Sequence, residues 1–584
     1  MKRNLLLLII FFTAFLSGFN LHAQLNEKIW FDGLSRSYFA RDAINKNTTN
    51  DTLSAKSISN GYNLLDLNTH VNPIRDIEIF AQLRIRNSFG SFFGSGTEID
   101  VRQLRAKGVI NNKLRFSVGD LFLKQSKFTL HNYDEERSGF GNEILKPYRD
   151  IVHYENFYID NRWRMQGIQT DFSFTFDRFI RHLDFDFFIT RPRGSNQINE
   201  TTYSSDLLLS GGSMVSKINK RLKLSANYIN LFEVGSSGTK NISVRNPVKE
   251  ISLLHNISNS KYRFEQRLQT GLSKRFWLHS ELENEIGDSI SNESKGMFFA
   301  LGNNFIKKDS TLSITVGYRY VDPDFRSAGA QTRRIDYADK SNTIYPIYTN
   351  MSIRRPPSLF DILSDNQLYN QDLFSTLMIF NPVYSNVLPY GDATPNRTGT
   401  YLNASIKSKN KILTSKINAG IFKEVIGQGT VEKRNFGLFE GALKINLHNY
   451  LNWEKELSIS SSSESEITHR GGDTISSLNL FSHQTNVSLS GELTKNFFIQ
   501  TSFTQFNANG NEFLTQRDNY GKITYFTPTK VNQKDFVLSF GMLYTFRKNV
   551  YTNLQYKWWG MTFDNRQNLD YKYNRLILII SVEL

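Results

Sequence analysis

Between Phe276 and Ile286, His279, Glu281, Glu283 and Glu285 recur at every second residue, while Phe276, Leu278 and Leu282 occupy the alternate positions. In an extended chain that period puts the apolar side chains on one face and the histidine with three carboxylates on the other. A row of carboxylates along an aqueous bore sets a local preference for cations. Arg84 and Arg86 share a face in the same way and carry the opposite sign, and Arg263 and Arg267 flank Glu265. Opposed patches of this kind can orient polar solutes in a pore; a lumen of ordinary salt bridges explains them equally well. These residues are candidates for lining a passage, not for breaking bonds.

Catalytic signatures are absent from the sequence. There is no nucleophile elbow, no phosphate loop and no pair of histidines at metal spacing, and the ten histidines stand singly. A hydrolase whose Ser and His meet only in space is the enzymatic alternative that remains. The chain has no cysteine, so disulfides, thiolate metal sites and a lipidated N-terminal Cys are excluded. Asp134, Glu135, Glu136, Glu143, Asp150 and Glu155 form an acidic cluster with the oxygen chemistry calcium favours. EF-hand spacing is missing, however, and Arg137 and Arg149 supply ordinary ion-pair partners. No catalytic residue, metal ligand or cofactor is assigned.

Strands must position these groups. Ile77, Ile79, Ala81, Leu83 and Ile85 oppose Glu78, Phe80, Gln82, Arg84 and Arg86. Ile168, Thr170, Phe172, Phe174 and Phe176 oppose Gln169, Asp171, Ser173, Thr175 and Asp177. Leu183, Phe185, Phe187 and Ile189 oppose Asp184, Asp186 and Phe188, and the chain closes on Leu576, Leu578, Ile580, Val582 and Leu584 alternating with Arg575, Ile577, Ile579, Ser581 and Glu583. Further apolar rows run from Leu312 to Tyr320 and from Phe536 to Phe546. A two-residue period sustained over segments of roughly ten to fifteen residues is the signature of a transmembrane barrel, apolar side out. A soluble sandwich or propeller is the alternative; it would need its apolar faces to stack inward, and neither a blade-length repeat nor a Gly and Trp signature marks one.

Tight turns are expected near Asn111 and Asn112, Asn219 to Arg221, Ser273 and Lys274, Lys307 to Ser310, Ser408 to Asn410, Thr494 to Asn496 and Arg547 to Asn549. Longer loops are expected at Gln125 to Asn161, Val234 to Asn259 and Asn507 to Lys530, on the opposite rim. This parity predicts an all-β fold, a transmembrane antiparallel up-and-down β-barrel of about 18–22 strands with long extracellular loops. Trp30, Trp163, Trp277, Trp453, Trp558 and Trp559 fall near strand ends, as interfacial aromatic girdles would require.

Lys2 and Arg3, the apolar run Leu5 to Phe12 and the small-residue exit at Ala23 read as a secretory signal over residues 1–23. A membrane anchor there fails on length, and no other stretch offers the ~18 apolar residues of a spanning helix. Residues 24–61 form an N-terminal segment that takes in a first strand around Ile29 to Ala40, and residues 62–584 form the barrel. The net charge of +15 is dispersed, which favours lipid phosphates over nucleic acid as the anionic neighbour.

Seven of the twelve prolines lie between Asp322 and Thr400, so this insertion (322–400) is not barrel wall. Pro357 and Ser358 precede Leu359, Phe360, Ile362 and Leu363 in a capped short helix, and Phe374 continues the apolar surface. Three readings stand side by side: a constriction folded across the mouth, an extracellular cap, or a docking surface for another protein.

The signal ending at Ala23 and Gln24, the Ile77–Ile85 and Phe172–Phe176 rows and the closing run Leu576–Leu584 resemble the porin-like outer-membrane β-barrels of Bacteroidota. The resemblance implies residence in the Gram-negative outer membrane, contact with its lipid, and insertion by the barrel-assembly machinery, whose clients typically end in an aromatic where this chain has Leu584. TonB-dependent receptors look similar but carry a folded plug before the barrel, whereas alternation here is under way by Leu65. Two functions follow: a channel passing small hydrophilic solutes passively past a constricting loop, or a non-transporting barrel subunit of an outer-membrane secretion or assembly complex.

Overall fold

The computed structural model describes residues 28–46, 56–89, 96–133, 143–177, 180–197, 203–204, 206–234, 243–280, 289–331, 387–427, 431–517, 523–563 and 571–584. Twenty-two strands, each antiparallel to its neighbours, form one sheet. The first strand, Ile29–Lys46, pairs with the second, Lys56–Ile74, and also with the last, Tyr571–Glu583, from Leu34↔Glu583 to Lys46↔Tyr571. That last pairing closes the cylinder, so no wall strand is left with an open edge. Among the described residues no helix is long and apolar enough to cross a membrane.

Alternation decides which way each side chain points. Phe187, Ile251, Leu272, Val316, Leu538 and Phe540 lie exposed on the outer surface, while Phe80, Gln82 and Arg84 on Ile77–Ser88 are buried inside. On the closing strand Ile580 is exposed and Ile577 and Ile579 are fully buried. The outside is aromatic as well as aliphatic: Phe172 stacks on Phe185 at 5.2 Å across the pair Trp163–Thr175 and His182–Arg193.

Connections on one rim are tight and side-chain directed. Asn111 and Asn112 both adopt positive φ (52° and 57°), and the Lys113 N–H donates to the Ile110 carbonyl at 3.0 Å. That is the mirror-image turn whose twist matches a hairpin, and Asn tolerates it. Asn219 accepts from the N–H groups of Arg221 and Leu222, and Asn259 does the same for Lys261 and Tyr262.

Asn259 corrects one turn assignment. Ser273 and Lys274 lie inside the strand Tyr262–Ser280, where Ser273 pairs with Val248 and points inward. The expected loop from Val234 to Asn259 is mostly the strand Ser243–Ser258, whose ladder to Tyr262–Ser280 skips Asn246 and Pro247. Proline is tolerated because the ladder makes no demand on it there. Likewise much of Asn507 to Lys530 is strand, in the hairpin Phe497–Arg517 and Ile523–Arg547, with Pro528 opposite Phe513.

The tryptophans also differ from expectation. Trp30 stacks on His70 at 4.5 Å, and Trp163 and Trp559 are buried. Trp453 and Trp558 are the exposed ones among those described. Trp163, on the inward parity, packs against what fills the barrel, so strand-end position alone does not make a girdle.

Candidate functional site

Much of the lumen is occupied by the chain itself. The connection between Leu114–Leu123 and Trp163–Thr175 turns inward, and both described ends of the proline-rich insertion join it. Phe128 stacks on Phe298 at 3.9 Å, and Phe325 meets Phe298 edge-on at 5.2 Å. Leu121, Leu130, Leu207, Leu209, Ile229, Leu231, Val321 and Ala328 complete this core. Inward apolar residues on these wall strands have a reason: they seat a plug, not water. Each such side chain contributes roughly 1.5–3 kcal/mol when fully buried.

Polar groups fix its register. The Trp163 indole N–H donates to the Gly329 carbonyl at 2.7 Å, and the His131 N–H donates to the same oxygen at 2.8 Å. The Asn246 side chain donates to Arg326 O at 3.0 Å and accepts from the Ala328 N–H at 3.1 Å. A Cβ on Gly296 would sit 2.1 Å from the Phe325 nitrogen, so only glycine permits this approach.

Opposite this core, the helix Lys146–Asn156 lies against the inner wall. Pro147 near its N-terminus presets the first turn, and Phe157 ends it in the left-handed region at φ 54°. Ile151 packs on Ala40, Ile577 and Ile579, and Glu143 just before the helix pairs with Lys444. The far end carries charge. Glu155 accepts from Arg84 Nη1 at 2.6 Å and from Arg36 Nη1 at 3.0 Å. Arg84 also grips Asp66 with two bonds, Nε to Oδ1 at 2.8 Å and Nη2 to Oδ2 at 2.7 Å. Tyr154 donates to Asp66, takes a bond from Gln82 at 3.1 Å and lies beneath the Arg102 guanidinium, 4.2 Å from its ring centre.

Four adjacent strands thus supply the pieces: Arg36 from the first, Asp66 from the second, Gln82 and Arg84 from the third, and Arg102 from Thr97–Ile110. Burial alone would raise the Glu155 carboxyl, but the Arg84 guanidinium, aided by Arg102 and Arg36, holds it below the ordinary carboxylate range. Burial, with the nearby Asp66 carboxylate, pushes the Tyr154 phenol up.

A polar cavity of about 450 Å³ remains beside the apolar core. Lys127, Glu265, Arg267, Arg319, Asp392 and Glu440 line it, cations and carboxylates in equal number. Asp392 ties the inserted segments to the wall, taking Arg319 at 2.7 Å and Lys127 at 3.0 Å, while its N–H donates to the Tyr133 hydroxyl at 2.8 Å. Arg263 and Glu265 form an ion pair at 3.1 Å, in keeping with a lumen of mixed salt bridges.

The sequence candidates are distributed unevenly around this arrangement. Arg84 lies inside the barrel under the helix, and the Arg86 guanidinium sits 4.2 Å from the ring centre of Tyr62. Glu281, Glu283, Glu285, Leu359, Phe360, Ile362, Leu363 and Phe374 lie outside the described residues, as does the His279 side chain. Sequence reasoning missed Arg36, Asp66, Arg102 and the helix as partners of Arg84. The acidic cluster pointed at Glu143 and Glu155 but not at the wall cations they meet. Among the described residues no group of three or more His, Cys, Asp and Glu is placed to hold a metal ion.

No family model matches the chain, and no curated protein matches it. Among solved structures it is similar to Pseudomonas aeruginosa OpdQ, with 12% identity over 95% of this chain and 98% of that one and a TM-score of 0.31. Pseudomonas aeruginosa OccK8 (OprE) gives 10% identity, 95% and 98% coverage and a TM-score of 0.32. For Pseudomonas aeruginosa OpdO the identity is 10%, the coverage 95% and 97%, and the TM-score 0.33. Likeness this distant carries no argument about what crosses the barrel.

Proposed function

We propose that this chain is an outer-membrane channel that passes small hydrophilic solutes passively through a lumen narrowed by its own inward-folded segments. The carrying observation is the charged cavity of about 450 Å³ inside a closed wall whose outer surface is apolar. Outward Leu272 and Phe540 suit hydrocarbon, and inward Glu265, Arg267 and Arg319 suit water, which is how a barrel separates lipid from a polar path. The same reading supplies the partners: outer-membrane lipid around the belt and the barrel-assembly machinery during insertion.

In this proposal constriction is shared. The insertion between Val321 and Arg397 contributes through its buried ends, Phe325 to Ala330 and Val387 to Ala393, and Leu359, Phe360, Ile362, Leu363 and Phe374 extend it on sequence grounds. His279, Glu281, Glu283 and Glu285 form a cation-preferring stretch of the path on the strength of their two-residue period.

Reconstitution in planar bilayers is the direct test. Small, steady unitary currents carried by potassium chloride support a channel; a barrel that is folded by heat-modifiable gel mobility yet carries no current argues against it. One observation favours the second reading, a non-transporting subunit: the apolar core of Phe128, Leu130, Phe298 and Phe325 closes part of the lumen. Native purification in mild detergent decides between them, because a stoichiometric partner with no current would transfer the assignment to the complex.

A further inference from the structure

The Arg36, Arg84 and Arg102 side chains converge on one end of the helix Lys146–Asn156 with two carboxylates between them, and only one of those carboxylates belongs to the wall. Asp66 is fixed in its strand and fully buried, whereas Glu155 rides on a segment that the wall holds by side-chain contacts. If the helix end withdrew, three guanidiniums would face the single Asp66 carboxylate in a desolvated pocket. Unpaired buried charge is strongly unfavourable, so such a pocket demands an anion. Glu155 fills that demand with a carboxylate that Arg84 takes with both terminal nitrogens, Nη1 to Oε2 at 2.6 Å and Nη2 to Oε1 at 3.3 Å, the two-pronged geometry in which arginine recognises carboxylates best, while Arg36 Nη1 adds a third bond at 3.0 Å.

We propose that Arg36, Arg84 and Arg102 form a carboxylate-binding site in the lumen, that Glu155 occupies it as an internal stand-in, and that a small dicarboxylate solute competes for it and thereby releases the helix end. This deepens the channel reading, on which its transport consequence rests, by naming the solute class. Three neighbouring features fit a displaceable latch. Tyr154 lies against Arg102 and bonds Asp66, so one residue step carries both the aromatic and the acidic contact. Arg102 also donates to the Tyr154 carbonyl, holding the helix C-terminus by its main chain. The apolar anchor, Ile151 on Ile577 and Ile579, sits a turn away and would keep the helix seated while its end moves.

Succinate is the probe. On wild-type protein in detergent, hydrogen exchange of the amides from Tyr154 to Tyr158 should rise about tenfold with succinate and stay unchanged with potassium chloride at matched ionic strength. Equal exchange in both salts overturns the proposal without requiring any variant. Glu155→Gln removes the competitor while keeping its shape, so calorimetry should show succinate binding at least tenfold tighter than to wild type, with the gain lost in the double variant E155Q/R36Q. Equal affinity in wild type and Glu155→Gln, or an unchanged gain in the double variant, overturns it. The channel reading fails separately: succinate binding without any bilayer current in either protein removes transport but leaves the site, whereas current with no response to succinate removes the site but leaves the channel.

Discussion

Glu155 is the carboxylate through which the luminal helix meets the charge of the wall. Arg36, Asp66, Arg84 and Arg102 from four strands face it, with Tyr154 beside it on its own helix. Its folded value lies below its unfolded one of about 4.3, so its stabilising contribution is full above that pH and is lost as pH falls through the depressed value. Exchange of the helix amides, corrected for intrinsic rate, should therefore stay flat from neutral pH to mild acid and rise only below the ordinary carboxylate range. A rise already complete near pH 5 would contradict the arginine clamp. Trp163 gives a second residue-scale test. Trp163→Phe keeps an aromatic ring there but removes the indole N–H from Gly329 O together with some buried volume, and it should cost at least about 1–3 kcal/mol in unfolding free energy. No measurable loss would mean that the inserted segment is not held there.

At the scale of elements, the strands were legible wherever the two faces differ in polarity, and less so elsewhere. The row Ile77 to Ile85 against Glu78 to Arg86 announced both the strand and its orientation, and the structure keeps that phase at exposed Ile79 and buried Phe80, Gln82 and Arg84. Ser273 and Lys274 read as a turn because two polar residues interrupt an apolar pattern. In the wall one of them simply faces inward, where the Ser273 hydroxyl accepts the Arg326 N–H at 2.9 Å. The Asn-Ser-Lys run at Asn259 held the true signal, since Asn219 in Asn-Lys-Arg makes the same side-chain turn. The luminal helix was not legible: its apolar residues are few, and what holds it are wall groups remote in sequence. The proposed exposure of the outer face to lipid has a measurable consequence. Phe540→Arg, outward and seven residues before the strand's end at Arg547, should lower folding stability in bilayers by roughly 2–4 kcal/mol, read from a denaturant titration. A cost below about 0.5 kcal/mol would place that face away from hydrocarbon.

For the whole molecule, the claim that organises the rest is a closed cylinder with hydrocarbon outside and water within. Sequence period alone gave the parity of its strands, but not the contents of its bore, because plug and wall meet through residues as far apart as Arg36 and Ile579 that no local pattern connects. The absence of cysteine makes a direct test available, since any introduced thiol is unique. The strand Tyr262–Ser280 is the best place for it: Phe264, Leu268 and Leu272 are outward and exposed, whereas Glu265, Arg267 and Gln269 line the cavity. Single-cysteine variants at these six positions, reconstituted in liposomes, would be scanned with a charged, membrane-impermeant thiol reagent and with a fluorescent label quenched by lipid-borne nitroxides. The account predicts strict alternation, with reagent access at 265, 267 and 269 and lipid quenching at 264, 268 and 272; quenching at the first set with aqueous access at the second, or no alternation at all, would contradict it.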